Sequence, residues 1–229
     1  MREAKPVERY RIGLELLGSA KDKVILDAGC GFGTLEQFIP AFGVDLNFAN
    51  LKKTKRQQTN LELINAALDQ IPFPDAVCDA VLMLETLEHV SDDEKVLLEI
   101  HRVLKNQGRL ILSVPKDHLI YNWIDLEHWL VPLVTKRAPH RRYKKEDLCR
   151  RLAESGFVID RCFTRGMLVS ACLRWIYAPF DLIDYFFLGG LNGPLGKTVR
   201  KMGNCFIDWE FRIPSPIGGS LFVVGHKEI

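Results

Sequence analysis

An α/β fold on a doubly wound, mostly parallel sheet of seven strands is predicted by three features of the sequence. Short apolar runs alternate with longer amphipathic stretches from residue 23 to about residue 115, a pattern typical of a parallel sheet covered by helices. Two further apolar runs follow towards the C-terminus. The composition, 47% hydrophobic and 26% charged over 229 residues, is that of a globular chain able to bury one substantial core.

The apolar runs predict the strands, and the stretches between them predict helices. The strands are residues 23–29, 42–47, 61–68, 78–85, 108–115, 157–163 and 220–226. Between the fourth and fifth strands we predict a helix with Ser91 as its N-cap and Gly108 as its stop. Further helices are predicted for residues 34–40, with some two turns, for residues 144–156, and near the N-terminus around Ile12, Leu16 and Leu17.

Charge and cysteine usage narrow the functional classes. The formal net charge of +2 gives no general attraction to nucleic acid, so we expect no nucleic-acid partner. Six scattered cysteines form no CxxC pair and no zinc-ligand spacing, which favours a reducing compartment. The polar N-terminus lacks the apolar run of a signal peptide. We therefore expect a cytoplasmic protein with a single domain over residues 1–229.

The loop after the first predicted strand is rich in glycine. Residues 24–38 read VILDAGCGFGTLEQF, with Gly29, Gly31 and Gly33 following Asp27. Glycines at such a turn let backbone N–H groups approach a ligand closely. The carboxylate of Asp27 would repel a pyrophosphate, whereas a carboxylate beside N–H groups suits the amino and carboxyl groups of S-adenosylmethionine.

A second acidic residue, Asp45, ends the second predicted strand, where a carboxylate can accept both hydroxyls of a ribose. A nicotinamide-dependent oxidoreductase is the alternative enzyme class. It is disfavoured because Thr34 stands where the third glycine of a dinucleotide loop would be.

These residues resemble the class I S-adenosylmethionine-dependent methyltransferases, in particular the small-molecule branch with an LEHV signature, similar to methyltransferase type 11. The motifs are VILDAGCGFG, GVDLN, IPFPDAVCDAV, LETLEHV, EIHRVLKNQGRLILSVP and HRRYKKEDLCRRLAESGF, in the family's order. The resemblance implies a Rossmann-like methyltransferase fold and S-adenosylmethionine as cofactor. It places the three glycines at the methionine end and Asp45 at the ribose. Adenine contact is expected from Asp69 or the Leu68 backbone, because Ala67 replaces the acid that many relatives carry.

The predicted site has a cofactor part and a catalytic part. The cofactor-binding residues are Asp27, Gly29, Cys30, Gly31, Gly33, Asp45, Leu46, Leu68, Asp69 and Leu84. His89 and His118 follow the fourth and fifth strands. They are the candidate bases that would remove a proton if the methyl group is transferred to an oxygen or carbon atom. We predict no metal. The alternative is a divalent ion at Glu85, Glu88 and His89, whose spacing, together with a histidine after the fifth strand, resembles the metal site of some oxygen methyltransferases.

Two later segments of the chain bear on which molecule accepts the methyl group. A connection at residues 116–143 is expected on the substrate side. A basic cluster at residues 136–145 is interpreted as a solvated loop, and neutralisation of an anionic substrate or lipid head group is the alternative. An apolar helical insertion is predicted at residues 164–219, and its aromatic stretch, residues 167–191, is interrupted by Arg174, Pro179 and Asp181 and so does not predict a membrane-spanning helix.

Three roles are open for this insertion: a lid, a dimer interface or a peripheral membrane contact. The lid and membrane roles imply a hydrophobic acceptor such as a lipid, quinone, isoprenoid or aromatic compound. A different class of function is a catalytically silent accessory protein that binds the cofactor and engages a partner through this insertion.

Overall fold

The computed structural model describes residues 8–117, 141–166 and 218–228 of the chain. All seven predicted strands are present, with shifts at their ends, and so are the predicted helices near the N-terminus and before the sixth strand. In chain order the elements are α1 (Glu8–Leu17), β1 (Ile25–Ala28), β2 (Phe42–Asp45), α2 (Phe48–Gln57), β3 (Glu62–Asn65), β4 (Cys78–Leu84), α3 (Asp93–Val103), β5 (Leu104–Pro115), α4 (Lys145–Glu154), β6 (Phe157–Arg165) and β7 (Ser220–Lys227).

The seven strands form one sheet in the order β3-β2-β1-β4-β5-β7-β6. The pairs β1–β2, β1–β4, β2–β3 and β4–β5 are parallel. The chain begins at the centre with β1, builds outward to β3 and then returns to β4, so the predicted doubly wound α/β fold is confirmed. The strand order reverses between β1 and β4, and in open sheets of this kind ligands bind beyond the carboxyl ends of the strands at that point.

The core lies between this sheet and the helices packed on it. Strand β1 is buried along its whole length, as expected for the centre of a parallel sheet. Helix α3 buries Val96, Leu97, Ile100 and Val103, and this spacing of three and four residues presents one apolar face to the sheet. The central strand therefore lies in a packed core, and its end supports the loop that follows it.

The predicted bounds of α3 were wrong at both ends. Its N-cap is Asp92 rather than Ser91, because the Asp92 side chain accepts a hydrogen bond from the Lys95 N–H (3.1 Å). The helix ends at Val103 and β5 begins at once, so Gly108 is not its stop. The register of β5 against β4 shifts beside Asp79, whose carboxylate accepts a hydrogen bond from Lys105 Nζ (2.7 Å). Residues 105–108 therefore bulge out of the strand instead of extending the helix.

The short helix predicted for residues 34–40 was also wrong. Only Leu35–Gln37 is helical, as one 3₁₀ turn, and Thr34 makes no side-chain cap. Pro40 explains the early end, because a proline disfavours helical backbone in the residue before it.

The chain divides into two compact units. The first holds Met1–Val114, Lys145–Cys162 and Phe222–Ile229, and the second holds Pro115–Lys144 and Phe163–Leu221. The single domain stays a prediction. Residues 118–140 and 167–217, and with them most of the predicted connection and insertion, lie outside the described residues. No helix in the described part of the chain combines the length and apolarity needed to cross a membrane.

Candidate functional site

A cleft of about 1000 Å³ opens where the strand order reverses. It lies entirely within the first unit, beyond the carboxyl ends of β1, β2, β3 and β4, and the start of α3 closes one side. Its size is at the upper end of the range of small-molecule sites, about 300–1,000 Å³. The lining residues are Gly29, Gly31, Asp45, Leu46, Asn47, Asn50, Ala67, Leu68, Asp69, Glu85, Thr86, His89, Val90, Ser91, Asp92 and Val96.

The glycine loop, residues 29–33, forms the wall at the end of β1. Gly29, Gly31 and Gly33 all have positive φ angles, of 86°, 57° and 62°, which L-residues with side chains rarely adopt. The Gly29 and Cys30 N–H groups both donate to the Val44 carbonyl (2.8 and 3.1 Å), which ties the loop to β2. A Cβ at Gly31 would have no atom within 4 Å, so the backbone there faces open space in the cleft.

The second wall is the β4 turn, residues 85–90, and it touches the glycine loop. A Cβ on Gly29 would lie 2.2 Å from Thr86 Cγ2 and 2.4 Å from Thr86 Oγ1. No side chain fits between atoms that close, so glycine at position 29 is required both by its φ angle and by the opposing turn. The two walls are therefore packed against each other at this point.

Asp45 presents its carboxylate in the cleft at the end of β2. One oxygen accepts the Gly31 N–H (2.8 Å) and the other accepts the Asn47 N–H (2.7 Å). An ionised carboxylate has about four acceptor positions, so it retains capacity for hydroxyl donors from a ligand. Next to it the Leu46 side chain is 72% exposed, which leaves an apolar surface available inside a polar cleft.

The end of β3 supports this acidic corner. Asn65 Nδ2 donates to the carbonyls of Asp45 (2.9 Å) and Leu46 (3.0 Å), which fixes the backbone beside the carboxylate. Leu68 and Asp69, which follow β3, line the same side of the cleft. The adenine contact predicted for these two residues is compatible with their place, and it stays a prediction.

Glu85 begins the β4 turn in a strained conformation. Its φ angle is 53°, although it is not a glycine. The Glu85 N–H donates to the Ser113 carbonyl (2.9 Å) and lies 3.1 Å from Ser113 Oγ, and that hydroxyl donates to Glu85 Oε1 (3.0 Å). Backbone strain of this kind persists only where surrounding contacts hold the residue in place, and it is found most often at functional sites. Ser113, on β5, thus positions a carboxylate that lines the cleft.

Three carboxyl groups are buried near the cleft. Burial raises the pKa of Asp27 well above its usual value, and the neighbouring charges of Glu36 and Asp45 add to this effect. Burial also raises the pKa of Glu36 to about 7 and that of Glu88 to about 8, the latter with a contribution from Glu85. Oxygens of all three have no hydrogen-bond partner among the described residues. Loss of water without replacement donors favours the neutral acid.

His89 is the one predicted base that the structure describes. It lines the cleft at the end of the β4 turn, its side chain is 52% exposed, and its Nε2 lies 3.8 Å from Glu88 Oε1. His118 lies outside the described residues. Within the described ranges no three His, Cys, Asp or Glu side chains are grouped as metal ligands, so Glu85, Glu88 and His89 do not form the alternative metal site by themselves.

The predicted site residues fall into two groups. Gly29, Gly31, Asp45, Leu46, Leu68, Asp69 and His89 line the cleft. The side chains of Asp27, Cys30 and Leu84 are buried, and a Cβ on Gly33 would meet Leu61, Leu63 and Thr54 rather than open space. None of these four residues is among the lining residues of the cleft, and their cofactor contacts stay predictions.

Sequence reasoning missed several lining residues. They are Asn47, Asn50, Thr86, Ser91 and Asp92, together with Ser113 behind Glu85. Position after a strand end was a usable signal for Asn47 and Thr86. No sequence signal marks Ser113, because its role depends on the pairing of β5 with β4.

Comparison with known proteins agrees with this geometry. Residues 26–112 match the family model described as a methyltransferase domain. An uncharacterized protein of Methanocaldococcus jannaschii is 38% identical over 114 residues, 49% of this chain and 50% of the relative. The malonyl-(acyl-carrier protein) O-methyltransferase of Hamiltonella defensa is 31% identical, over 44% of this chain and 41% of its own length. The chain thus spans about half the length of the curated relatives it matches.

Solved structures share the fold. The geranyl diphosphate C-methyltransferase of Streptomyces coelicolor, solved with Mg²⁺, geranyl diphosphate and S-adenosyl-L-homocysteine, gives a TM-score of 0.60 at 16% identity and covers 96% of this chain and 77% of its own. The cyclase SpnF gives a TM-score of 0.61 at 17% identity, with 97% and 82% covered. At this identity the likeness shows the fold alone.

Residues 26–112 carry a methyltransferase domain, and the strand order is that of the predicted doubly wound fold. The resemblance found in the motifs is confirmed by this match.

Proposed function

We propose that this protein transfers a methyl group from S-adenosylmethionine to a small, hydrophobic acceptor. The observation that carries the cofactor assignment is the charge of the cleft. Asp45, Asp69, Glu85 and Asp92 line it, and the described lining includes no lysine or arginine. A cofactor with a sulfonium and an ammonium group is attracted to such a site, whereas the pyrophosphate of a nicotinamide cofactor is repelled.

The chain's own groups fit the parts of this cofactor. The open backbone at Gly31 suits its amino acid tail, and the acceptor positions left on Asp45 suit ribose hydroxyls. The exposed Leu46 side chain supplies an apolar surface for the adenine ring, and Leu68 and Asp69 line the same side of the cleft. The cofactor, when bound, supplies an activated methyl group on sulfur.

The protein's remaining task is to orient the acceptor and, for an oxygen or carbon acceptor, to take up a proton. His89 is the candidate base on the described side of the cleft, because it is half exposed and its ring faces Glu88. The raised pKa of Glu88, about 8, keeps that neighbour mostly protonated near neutral pH. Glu88 therefore adds little negative charge beside the imidazole.

The hydrophobic acceptor is inferred from the apolar stretch at residues 167–191, which needs a place to bury its aromatic side chains. Similar proteins support this direction: a demethylmenaquinone methyltransferase of Renibacterium salmoninarum is 28% identical over 45% of this chain and 46% of its own length. His118 is proposed as a second base. We further propose a cytoplasmic protein that uses this stretch for peripheral membrane contact or as a homodimer surface, with no nucleic-acid partner.

A transfer assay with isotopically labelled S-adenosylmethionine tests the proposal. Lipid, quinone and aromatic fractions are offered as acceptors to the full chain and to the Asp45→Asn variant, which lacks the carboxylate charge. We expect label in a hydrophobic fraction with the wild type and at least about tenfold less with the variant, since a charge-assisted hydrogen bond contributes about 1.5–3 kcal/mol. Cofactor binding without transfer to any fraction would instead indicate the silent accessory protein.

A further inference from the structure

Helix α2 presents charge of a single sign to solvent. Its sequence, FANLKKTKRQ, contains no acidic residue. Leu51 and Thr54 are buried on its inner side, whereas Lys52, Lys53 and Arg56 are exposed on its outer side. None of these three cations forms an ion pair with another described residue. The outer side of α2 is therefore a basic surface whose charge the described part of the protein leaves uncompensated.

Two exposed phenylalanine rings lie beside these cations. Phe48, the first residue of α2, is 59% exposed, and Lys52 Nζ is 5.8 Å from its ring centroid. Phe32, in the glycine loop, is 53% exposed, and Lys53 Nζ is 5.9 Å from its ring centroid. Both distances are within the range of cation–π contacts. The Thr54 hydroxyl donates to the Phe32 carbonyl (3.2 Å), which holds the loop against the helix.

The two rings and the three cations thus form one surface, which we call the α2 face: Phe32, Phe48, Lys52, Lys53 and Arg56. Lysine and arginine are attracted to anionic lipid head groups, and exposed phenylalanine rings gain free energy when they enter the boundary between head groups and acyl chains. We propose that the α2 face docks on a lipid surface that carries anionic head groups.

Two other occupants fit this face less well. In a twofold dimer the same patch of both subunits meets, so two α2 faces would bring like charges together. A nucleic acid would carry phosphates past the neighbouring cleft, whose lining includes four acidic residues and no lysine or arginine among the described ones, and these would repel the phosphates. A lipid surface touches the α2 face without entering the cleft.

The α2 face adjoins the rim of the cleft. Phe32 follows Gly31 in the chain, and Phe48 follows Leu46 and Asn47, and all three preceding residues line the cleft. Docking through the two rings would place this rim at the lipid surface, where a hydrophobic acceptor is concentrated. That purpose rests on the proposed function, whereas docking itself can be measured without cofactor or acceptor. The α2 face is also separate from the apolar stretch at residues 167–191.

Sedimentation of the full chain with lipid vesicles tests the proposal. We expect binding to vesicles of phosphatidylcholine mixed with phosphatidylglycerol, weaker binding as salt is added, and little binding to phosphatidylcholine alone. Lys52→Gln combined with Lys53→Gln should weaken binding about 30-fold, and Phe48→Ala about fivefold. Lys21→Gln combined with Lys23→Gln removes the same charge from exposed positions just before β1, and this control should bind like the wild type.

Lysine acetylation of the wild-type protein, read by mass spectrometry, locates the docking surface without any substitution. We expect Lys52 and Lys53 to be protected on the mixed vesicles, while Lys21 and Lys23 react as they do in solution. A poorly folded variant therefore does not protect the proposal. The same experiment with a single-stranded oligonucleotide in place of vesicles is expected to give no protection.

The proposal is overturned if the protein does not bind the mixed vesicles, or binds uncharged vesicles equally well. It is also overturned if Lys52 and Lys53 stay reactive on the vesicles, or if the control double variant loses as much affinity. Protection by the oligonucleotide alone would assign the α2 face to nucleic acid instead. Methyl transfer to a hydrophobic fraction without vesicle binding would overturn the docking alone, and vesicle binding without transfer would overturn the proposed function alone.

Discussion

The glycine loop and the β4 turn form opposite walls of one cleft, and both need left-handed backbone, but they obtain it differently. The glycine loop uses three glycines, for which positive φ angles carry no steric penalty. The β4 turn places Glu85 at a φ of 53°, which costs an L-residue about 1–2 kcal/mol, and Ser113 holds it there. The comparison indicates that the first wall is shaped for close approach of a ligand, and the second keeps a carboxylate in a fixed place.

The largest expected effect concerns the buried acid of the β4 turn. The folded-state pKa of Glu88 is raised to about 8 from 4.5, so the folded protein keeps a proton that the unfolded chain releases. The free energy of unfolding of the wild type therefore falls as the pH rises from 4.5 to about 8. Glu88→Gln should remove this fall and exceed the wild type in free energy of unfolding by about 3–5 kcal/mol at about pH 9, with little difference at about pH 4.

Urea denaturation across this pH range measures the effect. Glu94→Gln, at an exposed position of α3, is the matched control and should follow the wild type. Parallel pH profiles for Glu88→Gln and wild type would show that the β4 turn carries no buried proton.

The next effect breaks the contact between the two walls. Gly29→Ala places a Cβ at 2.2 Å from Thr86 Cγ2 in a backbone with φ of 86°. We expect affinity for S-adenosylmethionine to fall about 100-fold, because strain and displacement of the turn together cost about 3 kcal/mol. Gly18→Ala is the control, since Gly18 has a φ of 71° but open space around its Cβ. If both variants lost affinity to a similar extent, the cause would be backbone strain rather than the contact with Thr86.

A smaller effect separates positioning from binding. Ser113→Ala removes the hydroxyl that bonds Glu85, which is worth about 1–1.5 kcal/mol. We expect kcat to fall about tenfold while cofactor affinity is nearly unchanged, because Ser113 does not line the cleft. Ser155→Ala, which removes a buried hydroxyl bonded to the Arg151 carbonyl on α4, should leave kcat unchanged. Loss of cofactor affinity in Ser113→Ala with unchanged kcat would contradict this role.

The smallest effect concerns the apolar surface beside Asp45. Leu46→Ala should weaken cofactor binding about fivefold, since about 1 kcal/mol of apolar contact is lost. Stability should barely change, because the side chain is 72% exposed. Leu98→Ala removes a leucine that is 49% exposed on α3 and is expected to leave binding as it is. Calorimetry on the two variants decides whether Leu46 contacts the ligand.

The contrast between the walls also explains what the sequence could predict. Alternating apolar runs and the glycine spacing made β1, β2 and the glycine loop predictable, because these features follow from local chemistry. The left-handed Glu85, the cap at Asp92 and the bulge at residues 105–108 depend on contacts with Ser113, Lys95 and Asp79. The burial of Asp27 was likewise hidden, since Asp27 and Asp45 read alike as acids at strand ends, whereas only Asp45 presents its carboxylate in the cleft.

The central claim is that the cleft between these walls holds S-adenosylmethionine. Titration calorimetry of the full chain with S-adenosylmethionine and with NAD, repeated on Asp45→Asn, tests it most directly. The account predicts saturable binding of S-adenosylmethionine, at least about tenfold weaker in the variant, and no binding of NAD. Saturable NAD binding with no heat from S-adenosylmethionine would contradict it.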